Sequence, residues 1–277
     1  MENLKKRIQE RNPSLLKKKH RDYINRISEG DFHLSHTSLV EFSESPLSFL
    51  KYKVGDKKDS SAMKEGRLVH SLILQPEKFD DNYILIEKKL KESTWAKKEN
   101  AEHKKELKKR AEEEGKELVT LEELENALEF KDTVLGNKFA GDLIRSCNSF
   151  EMDVRWEYYG YKWRGFIDAV DTSWSIDCKK VRDARPQKLK WQAINRKFAW
   201  QAFHYNVALD VDFYRDFYFV CYDNSLRVSV LKIDFEQLRI AHHEIDNQIK
   251  KFKECVLWDN WDQSLEYNSL DGYFELY

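Results

Sequence analysis

The chain has 277 residues, 48 Lys and Arg against 49 Asp and Glu, a formal net charge of −1, and an aromatic content of 13%. That aromatic content supplies a core and excludes a disordered chain, while 9 Gly and 4 Pro exclude a fibrous or low-complexity one. No apolar run of ~18 residues is present to span a membrane.

Neutrality hides segregation. Residues 1–26 carry nine Lys and Arg against three acids, 88–110 ten against four, and 179–197 eight against Asp183 alone. From Glu254 onward there are six acids and no Lys or Arg. A basic surface on a neutral protein suggests a polyanionic partner. Cys147, Cys178, Cys221 and Cys255 fit no zinc or iron–sulfur spacing. The N-terminal stretch MENLKKRIQERNPSLLKKK lacks a secretory apolar core, so the expectation is cytoplasmic, with free thiols.

Residues 1–30 are polar and basic and are expected to form an arm, leaving 31–277 as one domain. Ser35 caps a short helix carrying Leu39, Val40 and Phe42, and Ser45-Pro46 starts another. Residues 61–75 form a helix ended by Pro76, with Ala62, Val69, Leu72 and Ile73 on one face and His70 on its flank. Residues 88–118 are a charged helical insertion. Thr120 to Glu123 is a capping box that opens a helix with Leu121, Leu124, Leu128 and Val134. Three β-like runs follow, 150–159, 161–170 and 173–178, with a tight turn at Gly160-Tyr161. A long helix is expected over 187–209, with Trp191, Ile194, Phe198, Ala202 and Tyr205 on its apolar stripe and Trp200 in core packing. Strands at 213–222 and 226–233 and a helix at 234–254 complete the chain. The order implies an α/β (α+β) core behind a helical N-terminal third.

Asp168 and Asp177 fall at the ends of adjacent strands, and Lys179 projects to the same side as Asp177 because side chains alternate along a strand. Two carboxylates meeting at one sheet end suit a hard divalent cation, and a lysine beside it can handle water and phosphate charge. Taken alone, Asp-x-Lys also describes two exposed acids and a surface lysine. No P-loop is present, which argues against built-in ATP-driven unwinding.

Gly165-Phe-Ile-Asp168 followed by Ile176-Asp177-Cys178-Lys179, with Gln201-Ala-Phe-His-Tyr205 and Gly66-Arg-Leu-Val-His70, resembles the RecB-type subset of the PD-(D/E)xK nucleases. LSHTSLVEFSESPLSFL, KEGRLVHSLILQPEKFDDNYI and LVTLEELENALEF narrow the resemblance to the RecE (exonuclease VIII) group of phage-type exonucleases, over roughly residues 34–210. The family usually has Thr or Ser where Lys180 stands.

This resemblance implies a restriction-endonuclease-like core, a central mixed sheet flanked by helices. It implies metal ligation by His70, Asp168, Asp177 and the Cys178 carbonyl, with Glu151 as a further acid. Lys179 would handle the water, and Gln201 and Tyr205 would flank the site. Mg²⁺ is the expected ion, with Mn²⁺ as a substitute. The expected activity is exonucleolytic hydrolysis from double-stranded DNA ends, 5′→3′, feeding a single-strand annealing protein in phage-type recombination, by a homo-oligomer. Lys180, Arg182, Arg185, Lys188, Lys190, Arg196 and Lys197 would bind DNA. The alternatives are a RecB-like end-processing nuclease of different polarity, an endonuclease, or a DNA-binding protein that has lost the chemistry.

Overall fold

The computed structural model describes residues 16–55, 60–86, 96–211 and 215–262. Its core is a five-stranded mixed sheet. The strands are β3 (Ser149–Tyr158), β4 (Tyr161–Val170), β5 (Trp174–Lys180), β6 (Asp216–Tyr222) and β7 (Val228–Ile233), lying in that spatial order. Only β5 and β6 run parallel; the other neighbours are antiparallel. A second sheet pairs β1 (Tyr83–Ile86) with β2 (Glu117–Thr120) in parallel.

The period-2 alternation of β6 separates two apolar layers. Phe217, Phe219 and Cys221 point into the larger one, with Trp163, Phe198, Phe203 and Phe252. Val220 and Tyr222 point into the other, with Ile176 and Cys178. The larger layer is covered by α1 (Lys18–Ser28), α2 (His36–Glu44), α3 (Pro46–Val54) and the last three helices, two between β5 and β6 and one after β7. The smaller one is covered by α4 (Ser61–Leu74), α7 (Leu121–Gly136) and α8 (Lys138–Ser146). Two further helices, α5 (Phe79–Asn82) and α6 (Ala96–Glu114), flank the small sheet. The four cysteines are free and buried, as expected. No described helix is long and apolar enough to cross a membrane.

The helix starts follow their local chemistry. Ser35 accepts from the Ser38 N–H, Ser45 from the Ser48 N–H with Pro46 at the first helical position, and Thr120 and Glu123 close a reciprocal capping box.

Several expectations are corrected. Residues 1–15 of the expected arm lie outside the described residues, but Lys18–Ser28 is a helix whose Ile24 and Ile27 are buried in the core. Ala62 is exposed, because the buried face of α4 begins only at Leu68. The hairpin turn is Tyr159-Gly160, both with positive φ, the geometry that suits a two-residue hairpin loop. The single helix expected over 187–209 is two, α9 (Pro186–Asn195) and α10 (Phe198–Ala208), separated by Lys197 in the left-handed region at φ 55°. The break changes the facing of the first half. Trp191 is 67% exposed, while Leu189 and Ala193 are buried. The C-terminal helix, α11, runs Phe235–Trp258.

Candidate active site

The site begins with an interruption in the sheet. On one side β4 pairs along its length with β3. On the other side it meets β5 only at Ala169 and Val170. Farther back on that side it meets Leu34, which bridges to Trp163 with backbone hydrogen bonds to Lys162 and Arg164. Among the described residues no strand pairs with Gly165–Asp168 on that edge. Side chains take the place of a ladder. The Phe166 N–H donates to the Tyr205 hydroxyl, and the Cys178 N–H donates to Asp168 Oδ2 at 2.6 Å. A Cβ on Gly165 would lie 2.7 Å from Tyr205 Cε1, so glycine is what allows the ring to approach. The interruption opens onto a cleft of about 850 Å³.

Asp168, Asp177, Lys179, Gln201 and Tyr205 all line this cleft. Asp168 is 7% exposed and Asp177 1%, so the reading as two surface acids is excluded. Gln201 Nε2 donates to Asp177 Oδ1 at 2.5 Å, and Lys179 Nζ lies 2.7 Å from Asp177 Oδ2. Burial, reinforced by the neighbouring Asp168 charge, pushes the Asp177 carboxyl up to about 6 against the pull of Lys179. Burial alone would lower the Lys179 pKa; Asp177 and Asp168 outweigh it and hold the side chain as an ammonium. Tyr205, buried beneath β4, has its hydroxyl pushed well above the ordinary range by burial and by Asp177 and Asp168.

His70 reaches the pair from α4. Its Nε2 is 2.6 Å from Asp168 Oδ2 and its Nδ1 2.7 Å from Glu151 Oε1. Glu151 lies between the Phe150–Ala169 and Met152–Ile167 pairs of the ladder, with a left-handed backbone (φ 51°) inside a strand. That conformation costs roughly 1–2 kcal/mol for a residue with a Cβ. Burial alone would lower the His70 pKa; Asp168 and Glu151 outweigh it and raise it to about 10.

Among the described residues no three His, Cys, Asp or Glu side chains already surround a common point able to hold a metal ion. Instead the His70 imidazolium lies between two carboxylates. The donor set nevertheless fits a hard cation. Asp177 Oδ2 is buried with the Lys179 ammonium 2.7 Å away as its partner. Asp168 links the set: its Oδ2 meets His70, which also meets Glu151, and its charge acts on Asp177, and carboxylate-rich donors of this kind suit Mg²⁺ or Mn²⁺. Cys178 buries its thiol in the smaller apolar layer, with its backbone between Asp177 and Lys179.

The expected basic strip does not form one surface. Of its seven residues only Arg196 lines the cleft. Lys180 is one residue out of phase with Lys179, so it points to the opposite sheet face, where it pairs with Glu65 at 2.6 Å and lies over Phe130. Arg185 is held by Asp183 at 2.6 Å. Lys190 and Lys197 line a separate groove of about 380 Å³ between α9, α10 and α11, with Lys197 3.3 Å from Glu244. Arg182 and Lys188 are exposed outside both.

Among the cleft residues that sequence reasoning missed are His33, His36, Lys53, Arg164 and Phe166. Burial pushes the His36 pKa well below its usual value, helped by the nearby charges of His204, Lys179 and Arg196. Arg164 is clamped by two hydrogen bonds to Asp153, and Lys53 Nζ donates to the His33 carbonyl. The Leu34 bridge brings the 33–36 segment to β4, and no local pattern announces it.

Residues 35–266 match a family described as a PDDEXK-like domain of unknown function, DUF3799. A similar solved structure is that of a protein from Eubacterium rectale, provisionally named an exonuclease. It shares 13% identity over 88% of this chain and 87% of that one, with a TM-score of 0.57. No curated protein matches the sequence.

Proposed function

Since the chain belongs to the PDDEXK-like domain family DUF3799, we propose that it is a metal-dependent deoxyribonuclease of the RecE-like, RecB-type kind, acting as an exonuclease on double-stranded DNA ends. The observation that carries this reading is the buried Asp168–Asp177–Lys179 group, locked by Gln201 at the floor of an open cleft. Burying two carboxylates side by side is costly to a fold even with Lys179 and His70 paired to them, and a cation-binding active site is where such a cost is kept.

Asp168, Asp177, His70 and the Cys178 carbonyl would hold the ion, with Glu151 beside them. A bound Mg²⁺ or Mn²⁺ supplies Lewis-acid neutralisation of the phosphodiester charge. The chain's own groups do the rest. Lys179, kept protonated by its carboxylate neighbours, serves as a hydrogen-bond donor and a positive charge beside the scissile phosphate. Gln201 fixes the rotamer of Asp177. Tyr205 fixes the β4 backbone two residues before Asp168. Arg196, Lys53 and Arg164 hold the DNA backbone along the cleft. The family resemblance supports 5′→3′ polarity, a homo-oligomer, and supply of single strands to an annealing protein in phage-type recombination.

The test uses end-labelled linear duplex, closed circular duplex and single strand, each incubated with Mg²⁺, with Mn²⁺, and with EDTA. Mononucleotide release from the linear duplex alone, abolished by EDTA, is the expected result. Cutting of the circle would replace the exonuclease by an endonuclease. Binding without cutting under any metal would leave a DNA-binding protein.

A further inference from the structure

Arg164, Phe166 and Asp168 alternate along β4 and all line the cleft. Phe166 is 47% exposed, although Trp163 and Ile167 around it are fully buried. What sets this exposed aromatic apart is its place, on the cleft wall one strand period from a buried carboxylate, where it meets whatever the cleft holds. Its backbone is held from one face of β4 and its ring is met by Arg164 on the other. The Tyr205 hydroxyl accepts its backbone N–H, and the absence of a Cβ on Gly165 lets Tyr205 pack directly beneath. From above, the Arg164 guanidinium lies 5.0 Å from the ring centroid, itself fixed to Asp153 at 3.0 and 3.1 Å. A ring held this firmly loses little freedom on binding a flat ligand.

Two residues of strand put Phe166 about 7 Å along β4 from Asp168, within reach of the nucleotide next to a phosphate at the carboxylates. An exposed aromatic face flanked by an arginine is the chemistry that receives a nucleobase without regard to sequence. We propose that Phe166 is the stacking platform for the base of the nucleotide adjacent to the scissile phosphate, with Arg164 as its positioning residue. This assignment rests on the nuclease reading and adds to it a base-binding subsite. It predicts that the DNA end is unstacked at this point, because a paired and stacked base offers no free face.

The experiment combines Phe166→Leu, Phe166→Tyr and Phe166→Trp with duplexes carrying a single abasic site or 2-aminopurine, scanned through the first positions from each end. Binding is measured in EDTA and cleavage in Mg²⁺. For wild-type protein, an abasic site at one position weakens binding by roughly ten-fold or more, the range of a lost base–aromatic stack, and 2-aminopurine there is quenched. Phe166→Leu shows the same loss on intact DNA, no added loss on abasic DNA, and no quenching. The Tyr and Trp variants retain both. Unchanged melting temperatures, expected for a half-exposed side chain, separate this from a packing defect.

If Phe166→Leu binds and cuts like wild type, or its abasic loss persists in full, the platform is overturned while the nuclease stands. If wild type never cuts yet shows the Phe166-dependent abasic loss, the platform stands and the hydrolytic reading falls. If wild type neither binds nor cuts DNA, both fall.

Discussion

Asp168 and Asp177 repel each other and any incoming phosphate, so their value depends on a cation. Replacing either by Asn is expected to lower hydrolysis by at least about a thousand-fold, the scale of losing a principal electrostatic group. DNA affinity in EDTA should stay equal or rise, because a repelling charge is gone. Mg²⁺ should raise the wild-type melting temperature with the logarithm of its concentration once above Kd, and that rise should vanish in Asp177→Asn. A full wild-type rate in either variant would overturn the assignment. A second residue-scale consequence concerns His204, which is fully buried among Trp163, Trp156 and Phe203, with neither ring nitrogen hydrogen-bonded. Burial pushes its pKa from 6.5 to about 3. Between those values the unfolded chain binds the extra proton. The stability His204 contributes is therefore complete above pH 6.5 and is lost as pH falls toward 3, at about 1.4 kcal/mol per pH unit. His204→Phe should flatten the acid limb of urea midpoints between pH 7 and pH 4.5; an unchanged limb would show that the folded protein binds that proton.

At the scale of elements, β4 and α10 touch through Gly165 and Tyr205. Gly165→Ala should destabilise the fold by roughly 1–3 kcal/mol, the usual penalty of overpacking, and depress cleavage by shifting β4. Tyr205→Ala added to it should recover part of that stability, read as a positive coupling in a double-mutant cycle of denaturation midpoints. Additive losses would mean the ring yields without effort. The same pair of elements shows what local pattern can and cannot disclose. Alternation along β4 and β5 is enough to bring Asp168, Asp177 and Lys179 together, because a period of two is rigid. It also dictates that Lys180 faces away, a consequence hidden when basic residues are pooled by charge alone. The break at Lys197 has no such marker. A lysine occupies a left-handed position usually signalled by Gly or Asn. The 3.6-residue stripe therefore runs unbroken through it in the sequence and carries Trp191 toward a core that the folded chain turns away from.

For the whole molecule, the placement of charge replaces its count. Counterion release makes the logarithm of DNA affinity fall with the logarithm of salt, by about 0.9 per phosphate neutralised. Because Lys188 is outside the cleft and Lys190 lines a different groove, replacing both by Ala should leave that slope unchanged. Replacing Lys53, Arg164 and Arg196 together should reduce it by roughly two to three. The reverse result would move the DNA track to α9. Each of these three residues comes from a different part of the chain, which is why a basic run in the sequence is a poor guide to a basic surface in the fold.

The Leu34 bridge also sets an order of assembly. The segment that walls the cleft is synthesised early, yet its hydrogen-bonding partner in β4 emerges about 130 positions later. During translation the wall can meet its neighbouring helix α3, as through Lys53 and the His33 carbonyl, but it has no strand edge to pair with until the middle of the chain has left the ribosome. Whatever chemistry the carboxylates perform is thus withheld from a half-made chain, and the growing polypeptide acquires its cleft only after the central hairpin has formed.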